Sequence, residues 1–229
     1  MRPRVRPGMA DSRAPVPTAF AAPIAMHRRP VLVSLLTGAA GTCRSSFAQS
    51  GTLLAGVRFP PTVQLGGQSL ALNGAGIRYR FVVKVYAAGL YLAGKATSPE
   101  AVLDAGGPKR LHVVMLRDID GNDLGRLFTR GMQDNSSREA FARSIPGTLR
   151  LAEMFAAKKR LAAGESFSVD WLPGQGTSIL VNGQPQGQPI AEPEFFQSLM
   201  RIWLGASPAD AQLKDALLGQ APRPAPGTQ

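Results

Sequence analysis

Beyond residue 48 this chain has no cysteine and a single histidine, His112. The first absence removes disulfide staples and thiolate nucleophiles. The second leaves no histidine pair for haem, and no Asp/Glu cluster at ligand spacing joins His112 to suggest zinc. We therefore expect neither a metal nor a cofactor. A Ser-His-Asp triad would have to use His112, and no nucleophile elbow is present. His112 lies in an apolar stretch and reads as structural. The dinucleotide fingerprint and the phosphate-loop motif are both missing. No basic run is interleaved with aromatics, which argues against nucleic acid. No apolar run approaches the ~20 residues that span a bilayer, so no transmembrane segment is expected. There is no internal repeat.

What is present divides the chain. Residues 1–25 are rich in Arg, Pro and Ala and show no helical or strand period. They read as an upstream extension that is mis-assigned or disordered, with Met26 the expected start. Residues 26–48 have the parts of a secretory signal. His27, Arg28 and Arg29 are basic, Val31 to Thr42 are apolar or small, and Ser46-Phe47-Ala48 offers small residues for cleavage after Ala48. A periplasmic or secreted location is expected. The rival readings are a basic tail on a cytosolic protein, or a lipoprotein through Cys43, against which Thr42 stands where Gly or Ala is usual. Residues 1–48 hold seven Arg and one Asp, whereas the remaining 181 residues hold 19 basic and 14 acidic groups. That later part is mildly basic, which suits anionic ligands or membrane surfaces. It is long enough to close one core unaided.

Residues 49–219 read as a single domain, followed by a disordered tail over 220–229. Short strands are expected at either side of Pro60-Pro61, and a turn at Gly66-Gly67. Leu70–Leu72 and Ile77–Leu92 alternate as strands, with Asn73-Gly74 as a hairpin signal between them. A short helix covers 99–105 and a strand 109–117. Leu124, Leu127, Phe128 and Met132 stand at helical spacing behind a cap at Asp120 or Asn122. Helix resumes over 138–163, with a break near Pro146 and an end at Gly164. Strands return at 166–172, 177–181 and 184–190, with Asn182-Gly183 as a second hairpin turn. Pro193 opens a helix, and Ser207-Pro208 a last one that Gly219 stops. Strands, helices, strands, helices, without βαβ alternation, predict an α+β fold: a large antiparallel sheet with a helical layer on one face. Trp171 and Trp203 read as packing residues, and the cations at 158–160 as a solvated helix end.

The stretch from Ile77 to Leu92 carries the chemistry. Read as one strand, Arg78, Arg80, Val82, Lys84, Tyr86, Ala88, Leu90 and Leu92 share a face. Two readings stay open: a solvent face for the cations, or a pocket with a cationic mouth, a phenol and an apolar floor. Such a pocket would hold an amphiphilic anion, because Arg grips a carboxylate with two N–H groups and Tyr adds a third hydrogen bond. Burying a twelve-carbon chain at about 0.8 kcal/mol per CH₂ would contribute roughly 10 kcal/mol gross.

GVRFPPTVQLGGQSLALNGAGIRYRFVVKVYAAGLYL resembles the chalcone isomerase family, and more closely its bacterial secreted branch of chalcone-isomerase-like proteins. The likeness continues through PKRLHVVMLRDID, GESFSVDWLPGQGTSILVNGQPQG and FFQSLMRIWLG. It implies an open-faced β-sandwich with a ligand cleft between sheet and helices. The family includes isomerases that close chalcones and relatives that bind fatty acids. The catalytic Arg of the plant enzymes matches Arg78, their Thr falls at Tyr86, and their Tyr and Asn fall at about Leu124 and Gly131. Two expected polar groups are thus lost. In the fatty-acid-binding branch an Arg and a Tyr hold the carboxylate, and Arg78 with Tyr86 fits that pair. The resemblance therefore implies a binder of a fatty acid or similar amphiphilic carboxylate. The alternative is an isomerase (intramolecular lyase) on a phenolic, chalcone-like or enone ligand, with Arg78 as the electrostatic catalyst and Tyr86, or else Tyr79, as the donor. Whether the chain is an enzyme stays open here, and no feature of the sequence points to an oligomeric state.

Overall fold

The computed structural model describes residues 51–220. The expected signal, the extension before it and residues 221–229 lie outside the described residues. In chain order the elements are β1 (Thr52–Leu54), β2 (Val57–Phe59), β3 (Thr62–Leu65), β4 (Gln68–Arg80), β5 (Val83–Leu92), α1 (Pro99–Asp104), β6 (Lys109–Met115), β7 (Ile119–Asp120), α2 (Gly121–Asp134), α3 (Arg138–Lys158), β8 (Arg160–Leu161), β9 (Ser166–Leu172), β10 (Gly176–Val181), β11 (Gln184–Pro185), α4 (Pro193–Leu204) and α5 (Ala211–Leu217). Seven strands form one antiparallel sheet in the order β11-β10-β9-β6-β5-β4-β3.

Period-two alternation sorts the sheet into two faces. Tyr86, Ala88, Leu90, Leu111, Val113, Met115, Phe167, Val169 and Ile179 join α2, α3, α4 and α5 in the main core. The opposite face holds a smaller cluster around Phe59, Leu70, Ala87 and Tyr91, which the β1–β2 hairpin covers. The fold is α+β and open-faced, with helices on one side. No helix among the described residues is long and apolar enough to cross a membrane.

Asn73-Gly74 is not a hairpin turn. β4 runs straight through it, with a register shift between Leu72 and Gly74 opposite β5. The reason lies far off in sequence. The buried Asn73 amide donates to the carbonyls of Ala96 and Leu217, both at 2.8 Å, and accepts from Ala96 N at 2.9 Å. Lys95 Nζ donates to the Asn73 carbonyl at 2.5 Å. The inserted residue is a β-bulge. It flips the alternation: Leu70 and Leu72 face the small cluster, whereas Gly74 and Gly76 lie under α5. A Cβ at Gly74 would sit 2.0 Å from the Ala216 carbonyl oxygen, so only glycine lets α5 down onto the sheet.

The hairpin instead turns at Phe81-Val82, with Arg80 paired to Val83. The expected strand over 77–92 is therefore two strands. Phe81 takes φ 54°, a conformation that is unstrained for glycine but costs a bulky residue about 1–2 kcal/mol.

Further expectations change. α3 continues through Pro146, because Ser144, Gly147, Thr148, Leu151 and Phe155 bury one stripe on both sides of it. That packing outweighs the ~3 kcal/mol cost of an internal proline. The helix stops at Lys158 rather than at Gly164; Lys158 Nζ donates to Glu165 at 2.8 Å, and Lys159 and Arg160 are exposed as expected, Arg160 pairing with Asp118 at 3.1 Å on the surface. Finally, α5 is capped by Asp210, whose side chain accepts from Leu213 N, and not by Ser207. Ser207 is engaged elsewhere, its backbone donating to and accepting from the Asn135 side chain. Gln220, placed in a loose tail by its composition, is tied to Asp215 and Thr97 carbonyls. By contrast, Asp120 caps α2 and Asn182-Gly183 turns β10 into β11 as expected.

Asn73→Ala should lower stability by about 2–4 kcal/mol, since it strands buried partners at Ala96 and Leu217. Urea unfolding measures this. A loss below about 0.5 kcal/mol, as at an exposed surface position, would contradict the buried-bulge account.

Candidate ligand-binding site

The β4–β5 pairing sets Arg78 directly opposite Tyr86. The sequence pattern puts the two on one face of a single strand, eight residues apart. The turn at Phe81-Val82 makes them cross-strand neighbours instead. Because the bulge at Asn73 flips the pleat, both face the helical layer. Arg78 Cζ lies 5.5 Å from the centroid of the Tyr86 ring, a cation over an aromatic face.

Tyr86 is only 3% exposed. Trp203, on the inner face of α4, donates from Nε1 to the Tyr86 hydroxyl at 2.8 Å. The phenol oxygen is thus an acceptor toward Trp203, and no acceptor for its own proton is found among the described residues. Burial pushes the Tyr86 phenol up to about 12, against the opposing pull of Arg78 and the Trp203 bond. It stays a neutral donor throughout the physiological range. Arg78 Nε is buried and has no hydrogen-bond partner. A buried N–H left unmatched in this way is uncommon and costly.

Arg78 and Tyr86 open onto a cavity of about 170 Å³. Leu124, Leu127, Phe128 and Gly131 of α2, with Ile202 of α4, supply its apolar wall. Ser207 and Ala209 close one side, and Arg130 with Asp134 stands at the solvent end as an exposed ion pair at 3.4 Å. Asp210 is close enough to push the Tyr86 phenol up, but its two oxygens already accept from Leu213 N and Tyr79 N.

The structure revises the expected pocket in two ways. Of the three cations proposed for its mouth, Arg78 alone lines the cavity; Arg80 and Lys84 are exposed at the hairpin tip, as is Tyr79. The apolar floor comes from α2 and α4, whereas Ala88, Leu90 and Leu92 are consumed in the core. Leu124 and Gly131, the positions the resemblance sets against catalytic polar groups, do line the same cavity as Arg78 and Tyr86. In the sequence Trp203 reads only as packing. Its helical stripe is legible, but nothing local announces a partner 117 residues away.

Capacity is the other correction. A cavity near 150 Å³ takes a molecule of about benzene's size. The space at Arg78 is similar, so it does not enclose a twelve-carbon chain. About six buried carbons would contribute roughly 5 kcal/mol gross.

A larger groove, about 660 Å³, lies between α2 and α3. Arg126, Arg130, Asp134 and Glu153 line it with both signs of charge, and none of the buried unmatched groups among the described residues lines it. His112 lies outside the cavity, with Nδ1 2.8 Å from Ser168 Oγ and its ring edge-on to Phe59. Burial and the nearby Arg110 hold its pKa below the usual value, so it is neutral at pH 7.

A family model described as chalcone isomerase-like matches residues 51–219. Among solved structures, a fatty-acid binding protein of Arabidopsis thaliana is similar to this chain, at 15% identity and a TM-score of 0.59. The match covers 73% of this chain and 95% of that one, and it establishes a shared fold. No curated protein matches.

Proposed function

The chain belongs to the chalcone isomerase-like family, and from that premise we propose that it is a binding protein for an amphiphilic carboxylate. The observation that carries this reading is the buried, unmatched Arg78 Nε beside a phenol whose proton is free for a second bond. The carboxylate accepts from the Arg78 guanidinium and from the Tyr86 hydroxyl. Trp203 orients that hydroxyl from behind, and the Tyr86 ring supports the guanidinium from beneath. The first six or so carbons, or an aromatic ring, fill the space against Leu124, Phe128 and Ile202, and a longer tail continues past Leu127 to solvent. The Arabidopsis protein that shares this fold is a fatty-acid binding protein, which is in keeping with such a ligand.

We prefer binding to catalysis because Leu124 and Gly131 offer no polar side chain to the cavity. Ring closure of a chalcone needs a polarised ketone and a stabilised phenolate together. Arg78 and Tyr86 supply donors for one of these.

Export belongs to the same proposal. The basic, apolar and small-residue segments of 26–48 support secretion to the periplasm or beyond, as in the bacterial secreted branch the sequence resembles.

Titration with acetate, butanoate, hexanoate, octanoate and dodecanoate, followed calorimetrically, tests the ligand class. Affinity should rise to about six carbons and then level off. Arg78→Ala should weaken the acids by roughly 10- to 100-fold, the worth of a charged hydrogen-bond pair, and leave the matching alcohols unchanged. Wild-type affinity should fall below about pH 4.5 as the ligand carboxyl protonates. Equal binding of acids by wild type and Arg78→Ala would refute the anchor. Turnover of a chalcone above its spontaneous rate, abolished by the same substitution, would restore the isomerase reading.

N-terminal sequencing of protein recovered from cells should find Gln49 first. An intact Met26 on protein that remains in the cytoplasm would refute export.

A further inference from the structure

The β4–β5 hairpin ends in six consecutive exposed residues, Tyr79-Arg80-Phe81-Val82-Val83-Lys84. Phe81 is 93% exposed and Val82 91%, the most open large apolar side chains among the described residues. Neither contributes to a core. Phe81 also holds φ 54°, at the first central position of a two-residue hairpin turn, where glycine is the residue that fits. A bulky apolar group is thus kept at a place where it strains the turn and packs against nothing in the fold.

The surroundings indicate what it meets. Arg80 and Lys84 flank the tip and form no ion pair among the described residues. No acidic residue occurs from Gly51 to Pro99, so the whole hairpin is cationic or neutral. Asp210, a nearby carboxylate, accepts from the Tyr79 backbone N–H. Tyr79 stands just behind the cations with its ring partly exposed. An apolar tip, a basic collar and a phenol behind it follow the layering of a bilayer surface: acyl boundary, anionic headgroups, interfacial water. A two-residue convex tip is also far smaller than the ~800 Å² per partner of a stable protein interface. Insertion into lipid needs no such area.

We propose that this hairpin tip inserts into the surface of anionic bilayers. The inference goes beyond carboxylate binding and rests on different residues. It has a consequence for the cavity all the same. Arg78 and Tyr86 lie on the same two strands a few residues behind the tip, so docking would bring the cavity close to the lipid from which an amphiphile arrives.

The test is local to the tip. Phe81→Trp in the full chain is mixed with vesicles of phosphatidylcholine containing about 30% phosphatidylglycerol at about 0.1 M salt. The emission should shift to the blue and be quenched by lipids brominated on their acyl chains. Both signals should weaken on pure phosphatidylcholine and at about 1 M salt. In sedimentation, the Phe81→Ser/Val82→Ser double variant should partition at least about tenfold less than wild type, with a thermal unfolding midpoint no lower than that of wild type. Because the basic N-terminal segment is common to all variants, its own attraction to vesicles cancels in this comparison. Absence of quenching by brominated lipid would overturn the proposal, as would equal partitioning of wild type and double variant. A blue shift without vesicles, accompanied by a dimer that the double variant loses, would assign the tip to a second copy of the chain and overturn the lipid reading. The acid titration is independent of all these outcomes, since Phe81 and Val82 do not line the cavity.

Discussion

One extra residue in β4 determines where the chemistry of this molecule lies. Strand side chains alternate faces with a period of two, so a single insertion exchanges the faces of everything beyond it. Leu70 and Leu72 pack on the small cluster under the β1–β2 hairpin. Without the bulge at Asn73, Arg78 would follow them to that side. With it, Gly74 and Gly76 admit α5, and Arg78 meets Tyr86 on the helical face. The hydrogen bonds from Asn73 to Ala96 and Leu217 hold the insertion in place, coupling the end of α5 to the strand that carries the cation.

The site beyond the bulge is defined by an imbalance of donors and acceptors. Arg110, elsewhere on the sheet, is satisfied by two bonds to Asp170, at 2.7 and 2.5 Å. Arg78 has no such carboxylate, and its Nε is buried unmatched. Its support is an aromatic ring, which stabilises a cation without occupying its N–H groups. Trp203 in turn occupies the acceptor side of the Tyr86 hydroxyl and leaves the donor side. Two donors with no acceptor among the described residues, against walls of Leu, Phe and Ile, make a cavity complementary to an anion with an apolar body. Its volume sets how much of that body it encloses.

Much of this is legible in sequence where the deciding physics is local. Asp120 caps α2 because a carboxylate just upstream can reach the first free amides. Asn182-Gly183 turns because those residues tolerate positive φ, and both adopt it. The α+β class follows from the order of periodicities. Asn73-Gly74 carries the same local signal and is no turn, because contacts with residues 96 and 217 override it. Pro146 fails to break α3 for a similar reason: a buried stripe runs across it. Alternation does bring Arg78 and Tyr86 together, but through a continuous strand that does not exist. A two-residue turn led by Phe81 has no glycine to announce it. The likeness to the family sets Leu124 and Gly131 beside that pair, and the four positions share one cavity. The role of Trp203 needs coordinates.

The most direct measurement is of the Arg78 side chain itself. With ¹⁵N-arginine labelling and Arg78→Lys to assign the signal, the Nε–H resonance is followed while hexanoate is added. The account predicts a downfield proton shift and slowed exchange with water, saturating with the ligand and absent with hexanol. An Arg78 Nε–H that stays unmoved while hexanoate binds would place the carboxylate elsewhere and contradict the account at its centre.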